Sequence, residues 1–486
     1  MEVAISAVTG ELVSRFISFL MNKYHSSSHA QSKEEKLVER LQHLLLRAGT
    51  VIEEADGRYI TNSGMMMQLK MLSESMYRGY RVLDNMMYRT LQDKGVDEVS
   101  NDSSSSLYLA FPLKRSRKMT DKDDEKAMHL CAMESLEIAV ANMAEFIMLL
   151  GGCERMSRRP YDVYLYTDNF MFSRHAEKQR LFSFLLQHNH PPSDGAPAVL
   201  PIIGGAAVGK KTLVAHACGD ERVRSRFSSV LHLNGQNLMR IDKGRPVFGT
   251  MLIIIEFSSD ISDDGWKKCH SFYKRMGRGS KIIIVSRLTR LARFGSVKPI
   301  FLSPLSYDEL RYLFKKLAFG SIDPAQHPRL LQIADDFTEV LHSTEGSLIT
   351  TNTFADVFRS NLNVQFWRCI LDRRIRVVKR NLSKYGVHPT ILIDQGHPVD
   401  ITDYAFHPLS MTRYKINDSI NKETPSVKFG ELVADPSIRP KQIFILITWE
   451  SRIPPHNSFS YLATSHAQDR HEGTALPGRK RRGVSI

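Results

Sequence analysis

A glycine-rich segment between an apolar strand and a helix constrains this fold more than any other feature of the sequence. Residues 204–212 read GGAAVGKKT; they follow the apolar run 198–203 and lead into a helical pattern over 211–218. Glycines let successive backbone N–H groups point toward one anion, and the N-terminus of the next helix adds partial positive charge. The pattern is typical of a parallel α/β domain that binds phosphate. The predicted phosphate contacts are Gly204, Gly205, Ala206, Ala207, Val208, Gly209, Lys210, Lys211 and Thr212.

The residue after the loop lysine departs from the pattern that holds a metal ion. A Ser or Thr hydroxyl normally stands there to bind Mg²⁺, but this chain has Lys211, and Thr212 comes one position late. The strand 251–257 ends in Glu256, which can replace the usual aspartate, while Phe257 stands where a second acid would help. We therefore expect phosphate binding with weak or no Mg²⁺. We predict no catalytic residue, no metal site and no enzymatic hydrolysis.

The first half of the chain carries apolar residues at spacings of three and four. Such segments cover residues 5–20, 37–45, 69–87 and 128–147. Each has a single apolar stripe, so the segments must bury their stripes against one another. The pattern predicts an N-terminal four-helix bundle with no strand before residue 150.

Continuous apolar runs after residue 160 predict a different architecture. Runs at 199–203, 229–233, 251–255 and 281–285 alternate with helical segments, which indicates a parallel sheet covered on both faces, with 199–203 beside 251–255. Further helices are predicted over 307–319, 328–341 and 353–382, and strands over 391–401, 426–433 and 442–449. The fold class is multidomain α and α/β. The predicted parts are a helical bundle (1–100), an exposed loop (101–126), a closing helix and linker (127–160), a nucleotide-binding domain (161–320), a helical segment (321–385), a β-rich segment (386–462) and a disordered basic tail (463–486).

Composition narrows the function only slightly. Lys and Arg number 66 against 52 Asp and Glu, and this net charge of +14 permits anionic partners without selecting one. The five cysteines are scattered and form no CxxC pair, so neither a zinc site nor a disulfide framework is predicted. Charged residues interrupt the apolar start of the chain, and no apolar run reaches about 18 residues, so we expect neither a signal peptide nor a membrane span. We expect a cytoplasmic protein without a nucleic-acid partner; the nucleus and the periphery of the plasma membrane remain alternatives.

The order of further motifs resembles the plant NB-ARC family, the nucleotide-binding leucine-rich-repeat class of immune receptors. The longest matches are residues 279–287 (GSKIIIVSR) and 301–319, which follow the phosphate loop at the family's spacing. Upstream, 171–174 is similar to an element that cradles adenine, and 76–84 to the acidic motif of the Rx-type coiled-coil domain. The segment 346–349 lacks the proline of the family's Gly-Leu-Pro-Leu motif, and no Met-His-Asp motif or repeat array is visible. The sequence thus resembles short grass members without repeats.

The resemblance implies ADP or ATP as the ligand and a role in defence through protein–protein contact. It implies that Lys210 and Arg287 contact the phosphates and that Arg174 lies near the base. The implied partners are other receptors of this class, or a second copy of the chain, through residues 1–95. Two alternatives remain open: a nucleotide-free decoy or partner module that pairs with a full-length receptor, and an active ATPase, against which Lys211 and Phe257 weigh.

Overall fold

The described part of the chain forms two compact units. The computed structural model describes residues 33–94, 122–155, 172–187, 196–235, 249–273, 278–320, 322–343, 347–413, 424–438, 442–450 and 458–465. The units lie within Met1–Trp367 and Arg368–Ile486. The first contains helices and a parallel five-stranded sheet, and the second contains helices and a mixed sheet, so the predicted fold class is confirmed. Among the described helices, none is both long enough and apolar enough to cross a membrane.

Within the described residues between 33 and 151, four helices bury their apolar stripes as predicted. They are α1 (Lys33–Asp56), α2 (Ser63–Lys94), α3 (Lys122–Ala141) and α4 (Met143–Gly151). Their buried positions include Leu41, Leu45, Leu72, Leu83 and Leu136. Helix α3 begins inside the predicted loop 101–126, and a turn at Asn142 separates it from α4, so the single closing helix that we expected is divided. The helix predicted over residues 5–20 lies outside the described residues.

A two-residue strand pair contradicts the prediction that no strand precedes residue 150. Strand β1 (Arg58–Tyr59) pairs antiparallel with β2 (Glu154–Arg155). The Arg58 guanidinium donates to the carbonyl oxygens of Gly151 at 3.2 Å and Cys153 at 3.1 Å, and it also binds the Glu54 carboxylate. Arg58 therefore connects the end of α1 to the end of α4. The strands contain only two residues each, which is too few to give an alternating apolar pattern in the sequence.

The sheet of the first unit is parallel throughout. Its strands are β3 (Ala198–Gly204), β4 (Ser229–Asn234), β5 (Met251–Phe257), β6 (Lys281–Ser286) and β7 (Ile300–Leu302), and helices α5 (His175–Leu186), α6 (Lys210–Gly219), α7 (Glu221–Arg226) and α8 (Asp263–Tyr273) accompany it. Alternate residues of β3 enter two cores: Leu200 and Ile202 pack with α5 and α6, while Val199 and Ile203 pack with Trp266 of α8. Because both faces are covered, the inner strands β3, β5 and β6 are apolar along their middle positions, whereas the edge strand β4 is partly polar and exposed.

The strand order corrects the predicted pairing of 199–203 with 251–255. The order is β4-β5-β6-β3-β7, so β6 lies between those two strands and pairs parallel with both. All six residues of β6 are buried, which suits a central strand. The runs in β3, β5 and β6 are equally apolar, so hydrophobicity alone does not determine which two are neighbours.

A buried lysine fixes the end of α5. The Lys281 ammonium, at the start of β6, donates to the carbonyl oxygens of Gln187 at 2.8 Å and Leu185 at 3.3 Å, and to that of Phe184. Carbonyl groups at a helix end lack partners within the helix, and these contacts satisfy them. Burial lowers the pKa of Lys281 to about 8. The contact links the sheet to the helix that follows Arg174.

Helices with an aromatic core follow the sheet. They are α9 (Tyr307–Phe319), α10 (Pro328–His342), α11 (Leu348–Ser360) and α12 (Val364–Tyr385). The core rings belong to Phe314, Phe337, Phe354, Phe358 and Trp367. The continuous helix predicted over 353–382 is wrong, because the Asn363 side chain accepts from the N–H groups of Gln365 and Phe366 and so begins a new helix.

A buried cluster of four charged side chains joins α2 to the helices after the sheet. The Asp84 carboxylate accepts from Arg311 at 2.9 Å and from Lys315 at 2.7 Å, and the side chains of Asp84 and Lys315 are each 1% exposed. Arg311 also forms an ion pair with Asp335, at 2.7 Å. Burial alone would lower the pKa of Arg311, but the Asp335 and Asp84 carboxylates raise it above its usual value. Three of these side chains, Asp84, Arg311 and Lys315, are therefore buried, while Asp335 is 29% exposed at the edge of the cluster.

The second unit is β-rich, as predicted, although two of its expected strands are shorter. Its sheet contains β8 (Val399–Asp400), β9 (Leu409–Arg413), β10 (Ser426–Lys428), β11 (Ile443–Glu450) and β12 (Ser458–Ser465) in the order β10-β11-β12-β9-β8, and its short helices are α13 (Pro389–Asp394) and α14 (Phe429–Ala434). The strand predicted over 391–401 is mostly helix, because Pro389 suits a first helical turn and His388 caps it. The strand predicted over 426–433 stops where Phe429, Leu432 and Val433 bury at helical spacing.

Candidate functional site

The predicted phosphate site lies at one edge of the parallel sheet, where the carboxyl ends of the strands meet. In the strand register, Ile203 of β3 pairs with Ser286 of β6, and Ser286 pairs with Phe257 of β5. The loop after β3, Glu256 near the end of β5, and Arg287 directly after β6 are therefore neighbours. In open parallel sheets this edge is where ligands bind.

The loop backbone turns sharply between β3 and α6. Ala207 and Gly209 both have left-handed conformations, with φ of +52° and +93°. The Gly209 carbonyl accepts the first helical hydrogen bond, from the Leu213 N–H at 2.9 Å. Turns of this kind direct backbone N–H groups into a concavity suited to an anion. The loop thus has the backbone shape that its sequence predicts.

Gly204 is expected to tolerate no side chain. A Cβ atom there would lie 2.5 Å from the Leu302 carbonyl oxygen, which is backbone and has little freedom to move. We expect Gly204→Ala to destabilise the protein by about 1–3 kcal/mol through overpacking and to weaken phosphate binding. Gly205→Ala is the matched control, since its Cβ would meet only Val208 at 3.8 Å. Urea unfolding of both variants tests this, and equal losses of stability would contradict it.

The Lys210 ammonium lies over the loop and binds the loop's own backbone. It donates to the Gly204 carbonyl oxygen at 2.8 Å and also to the Gly205 carbonyl oxygen. Burial lowers its pKa to about 8, and the positive charges of Arg287 and Lys211 contribute. The Lys210 ammonium is therefore a partly buried cation beside a loop whose backbone is shaped to bind an anion.

Lys211 points to the one acid at the end of β5. Its Nζ lies 2.6 Å from Oε2 of Glu256. The Lys211 side chain is 62% exposed and that of Glu256 is 39% exposed, so the pair lies on the open side of the site. Phe257 instead faces the core. Thr212, one residue further along α6, is half-buried.

Arg174 is buried against the loop rather than exposed beside it. Its guanidinium donates to the Ser303 carbonyl oxygen at 2.6 Å and to the Val208 carbonyl oxygen at 3.5 Å. Burial lowers its pKa, and the nearby carboxylates of Glu177 and Glu309 oppose that shift. Arg174 thus fixes the loop to the segment after β7. A contact with a nucleotide base stays a prediction.

A carboxylate bridge holds the residue before Arg174. Ser173 adopts φ of +58° and its hydroxyl donates to Glu309. The other Glu309 oxygen accepts from the Ser306 N–H at 2.7 Å, completing the capping box of α9. One glutamate therefore positions both the entry to α5 and the start of α9.

Two backbone groups near the loop, one in contact with the loop and one in contact with Arg174, were not predicted from the sequence. The Leu348 N–H, in the segment that lacks the expected proline, donates to the Ala207 carbonyl oxygen at 3.3 Å. The Ser303 carbonyl is the second such group, as a partner of Arg174. Both are backbone groups, which leave no signature in the residue type.

Relatives exist among plant disease resistance proteins, although no family model matches the chain. A disease resistance RPP13-like protein of Arabidopsis thaliana is 24% identical over 395 residues, which cover 74% of this chain and 36% of the relative. The disease resistance protein RGA2 of Solanum bulbocastanum is 20% identical over 366 residues, covering 69% of this chain and 36% of the relative. The predicted resemblance to resistance proteins is confirmed. The chain spans about a third of the length of the curated relatives that it matches.

Proposed function

We propose that this chain is a plant defence protein of the nucleotide-binding type, which binds ADP or ATP through residues 204–212 and acts by protein–protein contact. The observation that carries the proposal is the ammonium of Lys210, held over a loop with left-handed Ala207 and Gly209 at the carboxyl edge of a parallel sheet. The similarity to disease resistance proteins supports the biological role. Binding, rather than hydrolysis, is the proposed activity.

The loop backbone and the charged side chains beside it have different proposed roles in binding the phosphates. The backbone N–H groups of 204–209 and the start of α6 surround the phosphates. Lys210 exchanges its two carbonyl acceptors for phosphate oxygens, which are charged and form stronger hydrogen bonds. Arg287 adds a second cation from the end of β6. Because residue 257 is a phenylalanine, β5 offers no second carboxylate beside Glu256 to activate water.

Titration of the purified full chain with labelled ADP tests the proposal. We expect saturable binding that unlabelled ADP and ATP displace. A folded chain that binds neither nucleotide would contradict it.

The affinity is expected to fall as the pH rises above about 8, the pKa of Lys210 in the ligand-free protein. Only the protonated ammonium attracts phosphate, and bound phosphate raises its pKa, so binding takes up a proton in this range. Affinity should decrease up to ~tenfold per pH unit. Titrations at successive pH values check this. Lys210→Arg is the control, because an arginine stays charged and removes the slope; a flat profile for the wild type would contradict the assignment.

A second candidate function is a partner module that pairs with another receptor without nucleotide. Exposed apolar side chains on the bundle favour it, because such surfaces often mark protein contacts. Met67 and Met71, one turn apart on α2, are 61% and 59% exposed, and the flexible methionine side chain adapts to varied partners. On α3 and α4 the exposed apolar residues include Leu130, Ile138, Ile147 and Met148.

Placing charges on this surface tests whether the exposed methionines form the protein contact. We expect Met67→Lys with Met71→Lys to abolish any self-association or receptor pairing of the full chain, while ADP binding stays unchanged. Analytical ultracentrifugation and co-purification with a full-length receptor are the measurements. Arg78→Glu, an exposed change further along α2, is the control. Pairing that survives the double variant would show that these methionines do not form the contact.

A further inference from the structure

The two positions that would hold a divalent cation in a phosphate loop are occupied here by an ion pair. Phosphate loops of this pattern bind Mg²⁺ through a hydroxyl after the loop lysine and an acid at the end of a neighbouring strand. In this chain those positions are Lys211 and Glu256, and their charged atoms are 2.6 Å apart. The ammonium therefore stands next to the carboxylate that a metal ion would need.

The residues present do not fit Mg²⁺. This ion requires near-octahedral oxygen ligands, usually including one or two carboxylates. The Glu256 carboxylate is already neutralised by Lys211, and the neighbouring Phe257 carbonyl oxygen accepts a hydrogen bond from the Ser286 hydroxyl at 2.9 Å. Thr212 is displaced by about 100° around the helix from the required position. Across the described ranges, no group of three or more His, Cys, Asp or Glu side chains could hold a metal ion.

We propose that Lys211 takes the place of the divalent cation, so that the site binds nucleotide phosphates without a metal ion. The inference rests on the proposed nucleotide binding, and it specifies that the ligand is a nucleotide without a bound metal ion. Lys211 and Glu256 form the pair on the open side of the site, and Lys210 lies close enough for its pKa to respond to Lys211. An ammonium attracts phosphate through proximity alone. The ammonium has three N–H donors, so the exposed Lys211 can bind an outer phosphate while it keeps its pair with Glu256.

Calorimetric titration of ADP into the full chain, once with Mg²⁺ and once with EDTA, tests the inference. We expect the two wild-type dissociation constants to agree within ~tenfold. In Lys211→Thr, which restores the hydroxyl and frees Glu256, Mg²⁺ should improve binding by more than ~tenfold. In Lys211→Met, which removes the ammonium and frees Glu256 but adds no hydroxyl, binding in EDTA should weaken and Mg²⁺ should improve it less than in Lys211→Thr. All changes are at an exposed position, so the fold should be retained.

The outcomes separate this inference from the proposed function. Wild-type binding that requires Mg²⁺ would overturn the inference and leave nucleotide binding intact. Unchanged affinity of Lys211→Met in EDTA would also overturn it, because the ammonium would then contribute nothing. Absence of wild-type binding in both buffers would overturn the proposed function and the inference together.

Discussion

Replacing Asp84 by alanine is expected to lower the free energy of unfolding by about 3–5 kcal/mol. The carboxylate is buried between Arg311 and Lys315, and its removal leaves both cations inside the protein, where Arg311 keeps its pair with Asp335. Desolvated cations cost several kcal/mol each unless an anion compensates them. Urea unfolding of the full chain measures the loss.

Asp308 provides a matched control for this cluster. It pairs with Arg81 at 2.8 Å between the same two helices, α2 and α9, but both side chains are partly exposed. Asp308→Ala should therefore cost less than about 1 kcal/mol. Adding Lys315→Met to Asp84→Ala should recover part of the stability, because it removes a buried cation that has lost its contact with the Asp84 carboxylate. If Asp84→Ala is no more harmful than Asp308→Ala, the buried cluster does not hold the bundle to the sheet domain.

Replacing Lys210 by alanine is expected to weaken ADP binding by at least ~100-fold, which corresponds to ~2.7 kcal/mol. The ammonium lies over the loop, where its contacts with phosphate oxygens would be charge-assisted hydrogen bonds in partly desolvated surroundings. Stability should change little, since the carbonyl groups that accept from the lysine lie at a partly exposed loop edge, where water can replace the ammonium. Titration with labelled ADP measures the effect.

Lys267→Ala is the control for this loss of charge. Lys267 is highly exposed on α8, and its weak pair with Asp264 has no part in the loop. Its removal should leave the affinity unchanged. Equal binding by wild type and Lys210→Ala would mean that the loop is a structural turn only.

Local sequence patterns predicted the helices and strands of the first unit well, because each pattern reflects which faces are buried. The order of the strands in the sheet could not be predicted from the same patterns. The runs in β3, β5 and β6 are all apolar, so nothing in them indicated that β6 separates the other two. Helix caps set two other boundaries that differ from the prediction. The Asn363 side chain begins a new helix within one predicted helix, and His388 with Pro389 begins a helix where a strand was predicted.

The candidate site was predictable as a set of residues but not as a set of contacts. The glycines and lysines of the loop predict a phosphate site, and the registers of the strands bring Glu256 and Arg287 beside this loop. The ion pair of Lys211 with Glu256 joins residues 45 positions apart in the printed sequence, and only the fold brings them together. Asp84 lies in the segment 76–84, which resembles a family motif. Its partners Arg311 and Lys315 on α9 could not be predicted, because they meet Asp84 only where two helices pack together.

The nucleotide content of the purified full chain tests the central claim most directly. The protein is denatured, and any nucleotide released is identified and quantified by chromatography beside the Lys210→Ala variant. The proposed function predicts near-equimolar ADP or ATP from the wild type and almost none from the variant. A wild-type protein that unfolds cooperatively, releases no nucleotide and takes up none when ADP is added would contradict it.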